Sequence, residues 1–304
     1  MTRRTTSPSE VVIRQRARAL ERSLPGAQKG DVELVHQARV ATRRLREAVP
    51  LLVPGPRGRK FERRMRRLTR ALGPVRELDV ALQTLDELST AGTVPPGSVA
   101  RLKQEIRLER ARVHAQMCTE VSHVDVERLR RKLCSATRKH HVHASHGKSR
   151  DPKRVLRARA RAARRAERLR GAVENAGGIY LPDRLHEVRV AVKKLRYAME
   201  VARELSGSRA VAQIRTLKQV QDLLGRMHDL EVLILRVRGL QGSPQAPTLR
   251  ISANLDHLVR HLETECRQIH GRYVTMRRKL IAICDATERI AVARRPAGAA
   301  AAAA

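Results

Sequence analysis

LHEVRVAVKKLRYAM, from Leu185 to Met199, has a close copy in VHQARVATRRLREAV, from Val35 to Val49. Setting His186 on His36 (186 − 36 = 150) also sets Arg189 on Arg39, Lys193 on Arg43, Lys194 on Arg44 and Arg196 on Arg46. Both copies carry the spacing of an amphipathic helix. At about 100° per residue from His186, Arg189, Lys193 and Arg196 fall at about 300°, 340° and 280°, and Val188, Val192, Leu195 and Met199 at about 180° to 240°. His36, Arg39, Arg43 and Arg46 repeat the basic arc of the first copy, opposite Ala38, Leu45 and Val49. Each helix is expected to bury one face and present a cationic rail on the other. Solvated helix faces usually mix signs, pairing Glu with Lys or Arg one turn on. Here Glu47 and Glu200 are the acidic residues nearest the rails. Like charges at helical spacing destabilise a helix unless an anion lies against them.

A second pair of blocks follows in the same order. LGPVRELDV from Leu72 lies over LGRMHDLEV from Leu224 (224 − 72 = 152), setting His228 on Arg76, Asp229 on Glu77 and Glu231 on Asp79. At that offset Arg63 and Arg66 fall on Arg215 and Lys218. The repeated acids read either as first-turn charges that suit the helix dipole or as ion-pair partners that orient the rail arginines.

The whole composition agrees with the rails. Sixty-four Lys and Arg against thirty Asp and Glu leave a formal net charge of +34 over 304 residues. Such a chain seeks polyanions: nucleic acid, an anionic membrane, acidic protein tails or an inorganic phosphate polymer. Aromatic residues make up 1% of the chain, namely Phe61, Tyr180, Tyr197 and Tyr273, with no Trp. The stacking platform of single-strand binders is therefore missing, although duplex backbone can be bound by charge alone. Cys118, Cys134, Cys266 and Cys284 show no CxxC spacing and read as reduced, mostly buried residues. No apolar run is long enough to span a membrane and the N-terminus lacks a signal-peptide core, so a cytoplasmic location is the expectation.

Strand periodicity is absent, and the fold class expected is all-α: two similar four-helix-type bundles related by an internal pseudo-two-fold around a basic groove or pore. Residues 1–8 read as a lead-in, 9–293 as one domain (first half 9–138, linker 139–150, second half 151–293) and 294–304 as a low-complexity tail. Helix breaks are expected at Pro25-Gly26, Gly73-Pro74, Gly225 and Gly271. The linker KHHVHASHGKSR, from Lys139 to Arg150, holds four histidines without an acidic or cysteine partner and reads as solvated chain, not a metal site.

The H-x-x-R-V-A-x-[RK]-[RK]-L-R and LG-x-x-[RH]-[DE]-L-[DE]-V blocks, each present twice and in order, resemble those of the CHAD domains. The resemblance spans about Ser9 to Ala293 and implies two four-helix bundles facing across a basic groove, binding of inorganic polyphosphate and, in some members, association with polyphosphate granules. Carried onto this sequence, it gives polyphosphate contacts at His36, Arg39, Arg43, Arg44 and Arg46 and at His186, Arg189, Lys193, Lys194 and Arg196. The second pair of blocks and the segments upstream add Arg63, Arg66, Arg76, Arg215, Lys218 and His228. No E-x-E-x-K motif of a triphosphate-tunnel domain is present, so the expectation is a binder with no catalytic residues, metal or cofactor. The alternatives are non-specific nucleic-acid binding, or an accessory or enzymatic role in polyphosphate metabolism. Near a polyanion the pKa of His36 and His186 should rise, which predicts tighter binding below about pH 6.5; the competing role for each is a structural hydrogen bond.

Overall fold

The computed structural model describes residues 7–92, 99–142, 151–243 and 247–292. The described residues form nine helices and no strand: α1 (Pro8–Gln28), α2 (Val32–Leu52), α3 (Pro56–Thr90), α4 (Ala100–Val121), α5 (Val126–Val142), α6 (Pro152–Ala176), α7 (Pro182–Ser206), α8 (Val211–Gln241) and α9 (Leu249–Val292). Residues 1–6, the His-rich stretch 143–150 and the tail from 293 lie outside them.

Local chemistry sets most of the helix starts. The Ser7 hydroxyl accepts from the Glu10 N–H at 3.2 Å, the Asp31 carboxylate from the Leu34 N–H at 2.8 Å, and Asp151 from the Lys153 N–H at 3.0 Å. Each meets an amide that the first helical turn leaves unpaired. Gly177 and Gly207 end α6 and α7 with φ of 57° and 65°, a region that L side chains avoid.

Four expected breaks do not occur. Chain continues as one helix through Pro25-Gly26 to Gln28, through Gly73-Pro74 in α3, through Gly225 in α8 and through Gly271 in α9. Burial on both sides of each site explains this. Leu24 and Ala27 flank the first, Leu72 and Val75 the second, Leu224 and Met227 the third, and Ile269 and Tyr273 the fourth, all at 5% exposure or less. A glycine weakens a helix by about 1 kcal/mol and a proline by about 3 kcal/mol, and burying the flanking core residues, at about 1.5–3 kcal/mol for each Leu, Val, Ile or Met, works against that. Gly26 has a further reason to be glycine, because a Cβ there would lie 2.0 Å from Leu34 Cδ1 where α2 turns back on α1.

The helices pack as two groups. In one, α6, α7, α8 and α9 form a closed ring of neighbours; in the other, α1 packs on α2 and α5, α2 on α3, and α3 on α4. α2 lies on α7 and α3 on α8, so the groups meet along the duplicated helices. Neither core is confined to one half of the sequence. Leu78 to Leu88 of α3 and Leu102 and Ile106 of α4 join the core of α6–α9. In exchange, Ala158 of α6 and Val201, Ala202 and Leu205 of α7 join the core of α1, α2 and α5.

Ion pairs on the flanks fix the two groups together. Arg161 and Arg165 of α6 donate to Glu47 of α2 at 2.9 and 3.3 Å, Arg16 of α1 to Glu204 of α7 at 3.0 Å, and Arg236 of α8 to Glu109 of α4 at 2.6 Å. Glu47 is 6% exposed and holds both arginines. Glu47→Ala leaves two half-buried guanidinium groups without their acid and is expected to destabilise the fold by about 3 kcal/mol, read as a lower urea midpoint.

Candidate functional site

The apolar arcs of α2 and α7 are buried as their periodicity requires, with Val35, Ala38, Leu45, Val188, Val192 and Leu195 at 0% exposure. That fixes the direction of the opposite arcs, and because α2 packs on α7 the two rails come together. Arg39 and Arg43 of α2 lie within the electrostatic reach of Arg189 of α7, and Lys193 within that of Arg39, Arg43, Arg46 and Arg189. Arg76 of α3 joins them beside Arg39 and His36. His228 of α8 closes the other side, its ring centroid 4.9 Å from that of His186.

These cations repel one another and have been drawn partly out of water. Burial first, then Arg43, Arg189 and Arg39, pushes the Lys193 ammonium down to about 6. Burial, then Arg43 and Arg189, lowers the Arg39 guanidinium to about 10, so it stays charged at neutral pH. His228 is lowered to about 4 by burial and then by Arg189 and His186. His36 and His186 are lowered for the same reason, burial first, followed by Arg76 for the one and Arg189 and Lys193 for the other. In the protein alone all three histidines are therefore neutral at pH 7, a consequence of burial first and of facing arginines second that helix periodicity does not reveal.

Compensating acid is sparse. Glu77 of α3 and Asp229 of α8 lie within reach of Arg39 and Arg189, and burial raises the Asp229 carboxyl against the pull of Arg189 and Arg76. Glu231 accepts from the Tyr180 hydroxyl at 2.9 Å, and the buried Asp79 is taken by Arg110. Among the described residues, Arg39, Arg43, Arg46, Arg76, Arg189 and Lys193 form no salt bridge, and Nε of Arg39 is buried without a hydrogen-bond acceptor. The arginines that tie the two groups together at the flanks, Arg16, Arg161, Arg165 and Arg236, are paired, and those at the centre are not. No three His, Cys, Asp or Glu side chains among the described residues converge to hold a metal ion.

The sequence matches the CHAD domain over residues 11–238, more than half the chain. The chain belongs to the CHAD domain family. Its fold is similar to that of the CHAD domain from the plant Ricinus communis, at 19% identity and a TM-score of 0.58, covering 95% of this chain and 92% of that one. It is also similar to PptA from Streptomyces chartreusis, at 15% identity and a TM-score of 0.59, covering 94% of this chain and 98% of that one. No curated protein matches the sequence.

Within the CHAD fold, the sixteen candidates from the sequence divide into groups. His36, Arg39, Arg43, Arg46, Arg76, His186, Arg189, Lys193 and His228 form the central cluster just described. Arg44 is exposed and reaches Glu200 at 3.7 Å, and Lys194 turns toward Arg165 and Arg168 of α6. Arg196, expected on the rail, is buried instead: it pairs with Glu200, donates to Gln221 at 3.0 Å and stacks 4.4 Å from the Tyr197 ring centre. Its angular position, nearest the apolar arc, turns it inward. Arg66 and Lys218 are exposed and pair one turn along their own helices with Glu62 and Asp222. Arg215 is exposed on α8, and Arg63 lines a separate groove.

Tyr197 belongs to the site and was not singled out by the motif. It lies beside Arg43 and favours the charged form of that guanidinium. The signal was a difference between the copies, since Glu47 occupies the equivalent place (197 − 47 = 150) and points to α6 instead. The described helices include none long and apolar enough to cross a membrane. Three of the four cysteines are buried, Cys118 is half-buried, and all four are free.

Proposed function

We propose that this chain binds inorganic polyphosphate between the rails of α2 and α7 and does not cleave it. The observation that carries this reading is the cluster of Arg39, Arg43, Arg46, Arg76, Arg189 and Lys193, drawn from both copies of the motif, partly buried together and without salt bridges among the described residues. A polymer with about one charge per unit and no bases calls for charge density and forked donors, and needs no stacking surface. The family membership supports the reading. The carboxylates nearest the centre, Glu77 and Asp229, lie against Arg39 and Arg189 and act as counter-charges that orient them. Docking on polyphosphate granules inside the cell follows from the same affinity.

A competition titration tests it. Labelled long-chain polyphosphate is expected to stay bound when duplex DNA is added at equal phosphate concentration in about 0.15 M salt. Its affinity is expected to fall by about four log units per log unit of salt if about six phosphates are neutralised. Polymer length should be unchanged after prolonged incubation. Equal competition by DNA would reduce the rails to a general cationic surface, and shortening of the polymer would make the protein an enzyme.

A further inference from the structure

The two helix groups differ in one respect that bears on binding. In the second group α6 and α8 both pack on the single helix α9, whereas in the first α3 packs on α4 and α1 on α5. The cause is a break in the chain. At the offset that sets Cys134 on Cys284 and Thr137 on Thr287 (284 − 134 = 150), residues 122–125 correspond to 272–275, which lie inside the unbroken α9. In the first half α4 stops at Val121, and the Asp125 carboxylate starts α5 afresh by accepting from the Arg128 N–H at 2.8 Å. Tyr273, buried at 0% exposure, stands where the exposed His123 stands in the first half.

The result is a groove of about 1170 Å³ between the first half of α3, the end of α4 and α5. Phe61, Leu68, Val121 and Ala136 supply an apolar floor, and Arg57, Lys60, Arg63, Arg64, Arg67 and Arg70 of α3 supply the cationic wall. Lys132 of α5 stands opposite and Glu120 is the one acid in the lining. None of these cations has a salt bridge among the described residues, in contrast to Arg66 on the same helix, which pairs with Glu62. Most of the charge here is not part of the duplication, since in this wall only Arg57 and Arg63 keep a cation in the second half, as Arg209 and Arg215. At the 152-residue offset, Lys60, Arg64, Arg67 and Arg70 become Ala212, Thr216, Gln219 and Asp222, while the core positions Met65, Leu68 and Leu72 stay apolar as Leu217, Val220 and Leu224. Charge at these four positions is present once and does not belong to the duplicated rails.

We infer that this groove is a docking site for an acidic amphipathic helix of a partner protein. A groove bounded by helices fits a helix, the floor needs an apolar stripe, and the unpaired wall needs carboxylates. Arg57 to Arg70 spans about 20 Å of helix, which suits a segment of three to four turns. Polyphosphate has the charge and lacks the apolar face, and a bilayer is too flat to fill a groove. The inference is independent of the proposal for the rails.

The test uses a fluorescein-labelled synthetic peptide of about 18 residues with Leu at i, i+3, i+4 and i+7 spacing and Glu or Ala elsewhere. A control of identical composition has its Leu residues spread around the helix. The amphipathic peptide is expected to bind the full chain one to one, at least about tenfold more tightly than the control. Ser135→Trp, which fills the groove from α5, and Arg63→Ala with Arg67→Ala, which thins its wall, should each weaken binding about tenfold. Arg39→Ala with Arg189→Ala should leave it unchanged. Circular dichroism melting establishes that each variant is folded, and either groove variant suffices. Equal binding of both peptides, or loss of binding in the rail variant but not in the groove variants, overturns the inference. So does failure of the peptide to bind while phosphatidylglycerol vesicles bind in a way that Ser135→Trp abolishes, which assigns the groove to lipid.

Discussion

Polyphosphate affinity is expected to fall by about 10²- to 10⁴-fold when Arg39 and Arg189 are both replaced by Ala, from two charge-assisted contacts of about 1.5–3 kcal/mol each. The two face each other across the rails, one from each copy of the motif, and neither has an acid committed to it by a salt bridge. Stability should move the opposite way. Arg39 is crowded by Arg43, Arg189 and Arg76 with Nε buried and unpaired, so removing guanidinium groups here relieves repulsion and desolvation, and the melting temperature without ligand should hold or rise. Arg215→Ala with Lys218→Ala removes the same formal charge from the exposed face of α8 and should change affinity little. Isothermal titration of both variants separates a site from a net charge. Equal losses in the two would mean that +34 alone does the binding.

The second large effect is a pH dependence set by Lys193. With its ammonium at about 6 in the free protein, against an ordinary 10.5, this side chain is mostly neutral at pH 8. A polyanion laid against it restores the charged form, so binding takes up a proton throughout the window between those two values. The sign follows from linkage: affinity falls as pH rises, by up to about one log unit per pH unit for one proton. His36 and His186 start below the ordinary histidine value of 6.5 and His228 at about 4, so their own uptake belongs to more acidic solution. Lys193→Arg keeps the charge without the titration. It should flatten the profile above about pH 6.5 and bind about 10- to 100-fold more tightly than wild type at pH 8. Titrations in buffers of different ionisation enthalpy read the proton count directly. An unchanged slope in the variant would move the uptake away from Lys193. Without ligand the sign for folding is the reverse of binding: the depressed lysine makes the fold more stable as pH rises from about 6 toward 10.5.

Several features of the site could be read from the chain before any coordinates. Two copies of a helix with cations on one arc and Val, Leu or Ala on the other require a buried apolar face opposite a cationic rail; the apolar face lies where periodicity puts it, while the rail is half-buried because the two helices face each other. Arg196 was misplaced because its angle lies between the arcs, and only Glu200, Gln221 and the Tyr197 ring decide which way such a side chain turns. Helix breaks were overcounted because glycine and proline act locally, whereas burial of Leu72, Val75, Ile269 and Tyr273 depends on partners far away in the chain.

By itself, the sequence determined the helical class, the duplicated rails and the excess of positive charge, all of which arise from residues within a few positions of one another or from a simple count. Tertiary structure decided what proximity decides. It brought Arg39 to Arg189, set Tyr197 beside Arg43, drew Lys193 down to about 6 and formed the groove beside α3. Charge repulsion and desolvation depend on distances between segments about 150 residues apart, and those distances exist only once both cores have formed.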